Sequence, residues 1–276
     1  MAGRTEYRLA ALDMDGTLLN SAHMITPYTR SVLDRAAKAG KVIALSTGRS
    51  LSELGDFLRL LPEVRYVIGE NGACLHDVRV GRCLSRITMR PEDARAIIDL
   101  SKHYDAVWQM FADDQSYIRG PLDETLKHYH IYDFIETFRD GSIVSRDPKE
   151  VYERFIGRIT KINLFFAEDD ERRDFEKRLT GYHVVIADSI GLGSEFSPVG
   201  ATKAEGLSRL CKLLGIDIGQ TMAVGDSGND LTIMHAAGLS GAMGTAIGPV
   251  RALADAVTED CDHDVAAKAI EKHMLS

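Results

Sequence analysis

Apolar positions mark the chain before any single residue does. Arg8 to Met14 is a short apolar run bounded by Gly16, the pattern of a strand buried on both faces. The stretch "ITPYTRSVLDRAAKAG" then carries helix punctuation: Thr26 to cap, Pro27 in the first turn, Gly40 to close. "KVIALSTGR" predicts a second strand and a tight turn, Arg49 to Leu61 a helix halted by Pro62, and "VRYVIGENGA" a third strand ending in a glycine-asparagine-glycine loop. Strand alternating with helix is the rhythm of a parallel sheet covered on both faces. The rhythm returns later: a helix over Ala201 to Leu214, a strand and loop in "TMAVGDSGND", a helix in "LTIMHAAG", a strand in "LSGAMG", and a closing helix over Val265 to Met274.

Between these halves the texture changes. "RPEDARAIIDLSKHY" and "DERRDFEKRLTGY" read as helices, while "AVWQMFADDQSYIRG", "ITKINLFFA" and "HVVIAD" read as strands. The expectation is an α/β protein: a Rossmann-like parallel-sheet core over residues 1–82 and 191–276, interrupted by an inserted α+β domain over 83–190.

Composition narrows the setting. The chain has 276 residues, 45% apolar and 27% charged, a net charge of -8 and a pI near 5.6. That length suits two modest domains. The acidic balance argues against a partner that is nucleic acid or membrane, and no protein partner is evident. Cys74, Cys83, Cys211 and Cys261 form no close pair, which points to free thiols in a reducing cytoplasm rather than a zinc or redox motif. The opening "MAGRTEYRL" lacks an apolar leader core, and no run has the length of a membrane span; the expected location is cytoplasmic.

Chemistry is concentrated at the ends of the core strands. Asp13 and Asp15 stand two apart where the first strand ends, so they face one side if the extended backbone persists. Gly16 permits a sharp turn there. Two carboxylates in such a crevice fit a hard cation, most simply magnesium, or a nucleophile beside an acid–base group. "STGR" offers Thr47 and the Gly48 amide at a turn into a helix, a phosphate-binding arrangement that is also ordinary turn chemistry. "GDSGND" places Asp226 just past a strand with Asn229 and Asp230 behind it, and Lys203 lies near the start of a predicted helix.

Taken together and in this order, "DMDGT", "STGR", Lys203 and "GDSGND" resemble the haloacid dehalogenase-like hydrolases, and the gap from Thr47 to Lys203 resembles the Cof-type branch with its inserted α/β cap. The resemblance implies a phosphatase for small phosphorylated metabolites, sugar phosphates foremost, with Mg²⁺ as cofactor. It makes Asp13 the nucleophile that becomes an aspartyl-phosphate, Asp15 the acid–base residue, and Lys203 the cation bridging nucleophile and phosphoryl oxygens. Asp226 becomes a metal ligand beside the Asp13 carboxylate and the Asp15 carbonyl, with Asp230 a more remote contact to the metal. Thr47, Gly48 and Asn229 become phosphate contacts, and Met14 is grouped with the phosphate- and substrate-binding positions. The cap is expected to choose the leaving group.

Asn71 and Arg49 are further substrate-binding candidates. For Asn71 a left-handed turn before Gly72 competes equally, and for Arg49 a sheet-edge role does. His128 and His130 lack a third ligand and read as cap surface, Trp108 as core, and Glu259–Asp264 as a solvated loop and helix start. The sequence departs from the branch at Ala204, Thr245, and His263 with Asp264. Two other readings share the same residues: a phosphotransferase or mutase, and a receiver-like phospho-binding module without enzymatic activity.

Overall fold

The computed structural model describes residues 6–276. The first five residues of the stretch read as lacking a leader lie outside it. Along the chain the strands are β1 (Leu9–Leu12), β2 (Val42–Ser46), β3 (Tyr66–Gly69), β4 (Cys74–Asp77), β5 (Arg82–Arg86), β6 (Ala106–Ala112), β7 (Gln115–Arg119), β8 (Ser142–Ser145), β9 (Ile159–Phe166), β10 (Val184–Asp188), β11 (Gly193–Pro198), β12 (Thr221–Gly225), β13 (Leu239–Ala242) and β14 (Ala256–Val257).

The chain divides into two units. The first holds residues up to Gly48, Phe57–Ser85 and Thr202–Ser276. Its sheet runs β14-β13-β12-β1-β2-β3-β4-β5. From β14 to β3 the neighbours are parallel, with β1 between β12 and β2. Both of β1's parallel partners therefore end at the edge where β1 ends, and chain order reverses there, the position where open α/β sheets bind ligands. β1 is completely buried because its four side chains, Leu9 to Leu12, are all apolar. The helix Pro27–Lys38 starts as its sequence predicts, with the Thr26 side chain accepting the Thr29 N–H. The antiparallel strand β4 and the outermost β5 extend the sheet beyond the predicted parallel set.

The second unit holds Arg49–Asp56 and Arg86–Ala201. Its sheet runs β10-β11-β9-β6-β7-β8, antiparallel except for β7 with β8. Alternate residues of the central strands, among them Trp108, Met110, Ile162, Leu164 and Phe196, enter one apolar core with Ile97, Phe155 and Phe175 of the helices. A second cluster gathers Val107, Ile118 and Phe165 with Leu126, Tyr129 and Phe138. The sequence reading ended the insert at residue 190, yet β11 lies beyond that point and pairs with β9 and β10. The reading also assigned Arg49–Leu61 to one core helix; residues 51–54 form a tight 3₁₀ turn, and Gly55–Leu60 a short α-helix. The reason is Glu53, whose side chain turns back to accept the Ser50 N–H and anchors that turn in the second unit. Among the described residues no helix is long and apolar enough to cross a membrane.

Candidate active site

The site is built at the carboxyl edge of the first unit's sheet. Asp13 follows β1, and its N–H donates to the Val224 carbonyl at 3.0 Å. Strand pairing stops at Leu12, and within Met14–Leu18 only Asp15 and Gly16 depart from helical dihedrals. A continued extended strand is therefore not what orients Asp13 and Asp15; a compact turn is. Gly16 has φ 74°, and a Cβ there would lie 2.7 Å from Asp226 Oδ2. Handedness and space both require glycine at this position. Thr17 Oγ1 donates to Asp226 Oδ1 at 3.3 Å, which ties the turn after β1 to the end of β12.

Asp226 follows β12. Four residues on, Asp230 closes back over its own strand end: its Oδ2 accepts the N–H groups of Asp226 at 3.0 Å and Ser227 at 3.1 Å. Its Oδ1 accepts from Lys203 Nζ at 2.6 Å, and the same ammonium donates to Asp13 Oδ1 at 2.6 Å. Lys203 is the first residue of the helix Lys203–Leu214, whose cap Thr202 accepts the Glu205 N–H. Ala204 therefore leaves the helix start at the lysine. Room for the Asp230 carboxylate exists because residue 225 has no side chain; a Cβ there would come within 2.3 Å of Asp230 Cγ. Gly225→Ala is accordingly expected to push Asp230 off the two amides and off Lys203. It should cost about 1–3 kcal/mol of stability, as overpacked cores do, and lower activity with it; urea unfolding of the variant beside the parent checks this.

The remaining strand ends form a second chain of bonds. Thr47 N–H donates to Ile68 O, the Thr47 carbonyl accepts the Asn71 N–H at 3.0 Å, and Asn71 Oδ1 accepts Asn229 Nδ2 at 3.1 Å. Asn229 Oδ1 in turn accepts from Ser227 Oγ at 2.9 Å. Asn71 has φ 55°, so it is both the left-handed turn residue and a member of the crevice. The structure thus joins Asp13, Lys203, Asp226 and Asp230 in one group, and Thr47, Asn71 and Asn229 in another that meets it through Ser227. Asp15 and Gly48 lie in the turns directly after β1 and β2. The Met14 side chain is fully buried, which leaves only its backbone for a ligand. Arg49 is buried in the second unit, where its charge acts on Glu53. His128 pairs with Asp105 at 2.7 Å, and Trp108 lies in the apolar core.

Asp264 stands at the helix start expected there, and it is half-buried rather than solvated. Its Oδ1 accepts from Thr26 Oγ1 and, at 2.8 Å, from Thr29 Oγ1, which fastens the loop before the last helix to the helix Pro27–Lys38.

Electrostatically the cluster holds three carboxylates and one ammonium. Burial pushes the Asp13 carboxyl well above its ordinary range; Lys203 opposes that shift, and Asp230 and Asp226 reinforce it. Burial, then the charge of Asp230, pushes Asp226 up to about 6. Burial disfavours the Lys203 ammonium, but Asp13 and Asp230 outweigh it and hold its pKa above the usual lysine range. The group lacks positive charge. One oxygen from each of Asp13, Asp226 and Asp230 lies within 4.8 Å of the others, an all-oxygen donor set of the kind a hard divalent cation takes. Both Asp230 oxygens are already engaged, by Lys203 and by two amides, so Asp13 and Asp226 are the better placed ligands.

Sequence reasoning passed over Thr17, Ser227 and Gly225. Thr17 and Gly225 stand inside the quoted motifs, as the last residue of "DMDGT" and the first of "GDSGND"; their bonds and close approach become visible only once β1 and β12 are neighbours.

Comparison with known proteins gives a consistent result. The model of a family described as haloacid dehalogenase-like hydrolase matches residues 10–270. Phosphatase YwpJ of Bacillus subtilis is 30% identical, over 97% of this chain and 100% of its own. The 5-amino-6-(5-phospho-D-ribitylamino)uracil phosphatase YcsE of the same organism is 27% identical, over 98% and 97%. A solved haloacid dehalogenase-like hydrolase from B. subtilis superposes with a TM-score of 0.86 at 28% identity, covering 97% of this chain and 99% of that one.

Proposed function

Because the chain belongs to the haloacid dehalogenase-like hydrolases, whose similar members here are phosphatases, we propose that it is a magnesium-dependent phosphatase. In this reading it hydrolyses small phosphorylated metabolites, sugar phosphates in particular, through an aspartyl-phosphate on Asp13. The observation that carries the reading is the Lys203 ammonium, held at 2.6 Å from both Asp13 and Asp230 beside Asp226. The similarity to YcsE, a phosphatase of a phosphoribityl compound, supports a hydroxylated substrate.

In this reading each residue has a role. An Asp13 oxygen attacks phosphorus and the bond to the ester oxygen breaks. Asp15 gives its proton to the departing alkoxide. In the second step Asp15 takes a proton from water, the hydroxide attacks phosphorus, and the bond to Asp13 breaks; ester and water have become alcohol and inorganic phosphate. Lys203 steadies Asp13 and the phosphoryl oxygens, while Thr47, the Gly48 amide and Asn229 receive the non-reacting oxygens. Two unit charges 4 Å apart repel by about 4 kcal/mol at an effective dielectric of 20, so a dianionic ester cannot approach Asp13 without added positive charge. Magnesium bound by Asp13 and Asp226, with the Asp15 carbonyl, would supply that charge. The second unit is taken as the substrate-selecting cap. The four free cysteines fit a cytoplasmic setting.

The test is phosphate release from a panel of phosphorylated sugars, nucleotides and cofactors, with and without magnesium. Release is expected only with the metal. With Asp226 near 6 and Asp13 also raised, protons compete for the ligands below that pH, so magnesium affinity measured by calorimetry should fall at least about tenfold per pH unit there. Quantitative transfer of the phosphoryl group to a second sugar, without phosphate release, would replace this reading with the mutase one.

A further inference from the structure

The turn after β3 holds three left-handed residues in a row: Glu70 at φ 53°, Asn71 at 55° and Gly72 at 91°. Only glycine takes that conformation readily, so two of the three hold it against their own preference. Glu70 and Asn71 are buried as well. Such backbone persists where its surroundings determine it, and it gathers at functional sites.

Three segments meet this turn, all of them in the first unit. The Asn71 N–H donates to the Thr47 carbonyl at 3.0 Å, just after β2. The Asn71 side chain reaches the loop after β12, where its Oδ1 accepts Asn229 Nδ2 at 3.1 Å. Gly72 lies against the start of the helix Lys203–Leu214: a Cβ on it would come within 2.0 Å of the Thr202 carbonyl oxygen. Arg209, further along that helix, donates to the Gly72 carbonyl. One strained turn thus ties together the segments that carry Thr47, Asn229 and Lys203.

Burial separates the two asparagines. Asn71 is 5% exposed, whereas Asn229 is only half-buried. An asparagine amide offers two N–H donors and one carbonyl. In Asn229 the carbonyl accepts from Ser227 Oγ at 2.9 Å, and one N–H goes to Asn71. These two bonds hold the amide from both ends and leave its second N–H for an anion. Asn71, almost wholly buried, commits its own carbonyl oxygen to that bond.

We propose that the turn Glu70–Gly72 sets the spacing of the anion pocket between Thr47, Asn229 and Lys203, and that Asn71 is its positioning residue. Asn71 fixes the Asn229 amide through its side chain and the Thr47 segment through its backbone, and it does not touch the substrate. Taking the anion to be a phosphoryl group rests on the phosphatase reading above.

Asn71→Gly tests it, because glycine keeps the left-handed backbone and the N–H to Thr47 but removes the amide arm. Calorimetric binding of inorganic phosphate, with magnesium present, reads the pocket without any alcohol part. Asn71→Gly is expected to weaken phosphate about tenfold, the worth of one hydrogen bond to a charged group. Asn229→Ala should weaken it at least as much. In the Asn229→Ala background Asn71→Gly should then cost less than about twofold, because the arm has nothing left to hold. Additive losses overturn the proposal, since Asn71 would then act independently of Asn229. An unchanged affinity in Asn71→Gly overturns it too, since the residue would then have a purely structural role. A second measurement needs no variant: ¹⁵N relaxation of the Asn229 side-chain amide in the ligand-free wild-type chain. An order parameter above about 0.6 is expected and a lower one overturns the proposal, so a variant that fails to fold does not shelter it. If no ester is hydrolysed with magnesium present, the phosphatase reading falls, while the phosphate measurements still decide the role of Asn71. Wild-type protein that does not bind phosphate at about 10 mM overturns that role.

Discussion

Asp13→Asn protein is expected to release phosphate at least about 10⁴-fold more slowly than wild type while remaining folded. The amide has the shape of the carboxyl but no lone pair basic enough to displace an alkoxide from phosphorus. Its oxygen can still accept from Lys203, and the Lys203–Asp230 contact at 2.6 Å is untouched. Stability separates this outcome from simple unfolding. Burial holds the folded pKa of Asp13 above its unfolded value. A raised acid favours the folded state fully below its unfolded pKa and withdraws that contribution as pH climbs toward the folded one. At neutral pH without metal the ionised carboxylate is therefore a cost to folding, and an uncharged isostere relieves it. Urea unfolding at pH 7 should show Asp13→Asn as stable as the parent or more so. Added magnesium should stabilise the parent more than the variant, because the variant has lost a ligand. A pure preparation retaining more than about 1% of wild-type turnover would place the nucleophile elsewhere.

How far the sequence anticipates such a site depends on the distance over which its information acts. The last helix, Val265–Met274, matches its apolar pattern residue for residue, because one amphipathic stripe decides it. The wholly apolar β1 and the apolar-rich β12 were equally legible, since a parallel sheet buried on both faces demands continuous apolar runs. β11 was not. Its sequence, "GSEFSP", mixes Glu195 and serines with Phe196 and reads as a loop; it is a strand because one face carries a polar row while Phe196 fills the core. β4 and β5 were missed for a similar reason: their polar residues carry no clean alternation.

The candidate site shows the same division. Asp13, Asp15, Thr47 and Asp226 are legible because each occupies a strand end within a short motif, whereas Lys203 gains meaning only beside them. The bonds that join these residues are not legible. Lys203 and Asp13 are 190 residues apart in the chain, and Lys203 and Asp230 are 27 apart. No local period encodes either contact. The same holds for Asp230, whose position behind Asp226 resembles an ordinary helix cap. Only the fold shows that it fixes the strand-end amides with one oxygen and the lysine with the other. Nor does any local pattern mark the boundary at Arg49, where Gly48 belongs to one unit and Arg49 to the other.

The dependence of the cluster on one cation leads to the second large effect. Lys203→Met keeps length and apolar stem but removes the ammonium from between Asp13 and Asp230, both buried. Breaking a buried pair by deleting one partner typically costs about 3–5 kcal/mol, since the other charge stays behind without compensation. Here two carboxylates are left. Asp13, already raised by burial, loses the one group that opposed the rise, so its folded pKa climbs further. The sign follows directly: the Asp13 carboxyl can be buried as a neutral acid at low pH, and the penalty appears as pH rises through the interval between its unfolded and folded values. The stability deficit relative to wild type should therefore be larger at pH 8 than at pH 5, by up to about 1.4 kcal/mol for each unit of further shift. Magnesium should recover part of it by returning positive charge to the same oxygens. Turnover should not recover in proportion, because a preorganised donor aimed at developing charge contributes about 10²–10³ in rate by itself. Urea unfolding at the two pH values, each with and without magnesium, reads the first effect, and phosphate release reads the second. A Lys203→Met protein equally stable at both pH values and fully active would mean that the three carboxylates are reconciled by something other than this lysine.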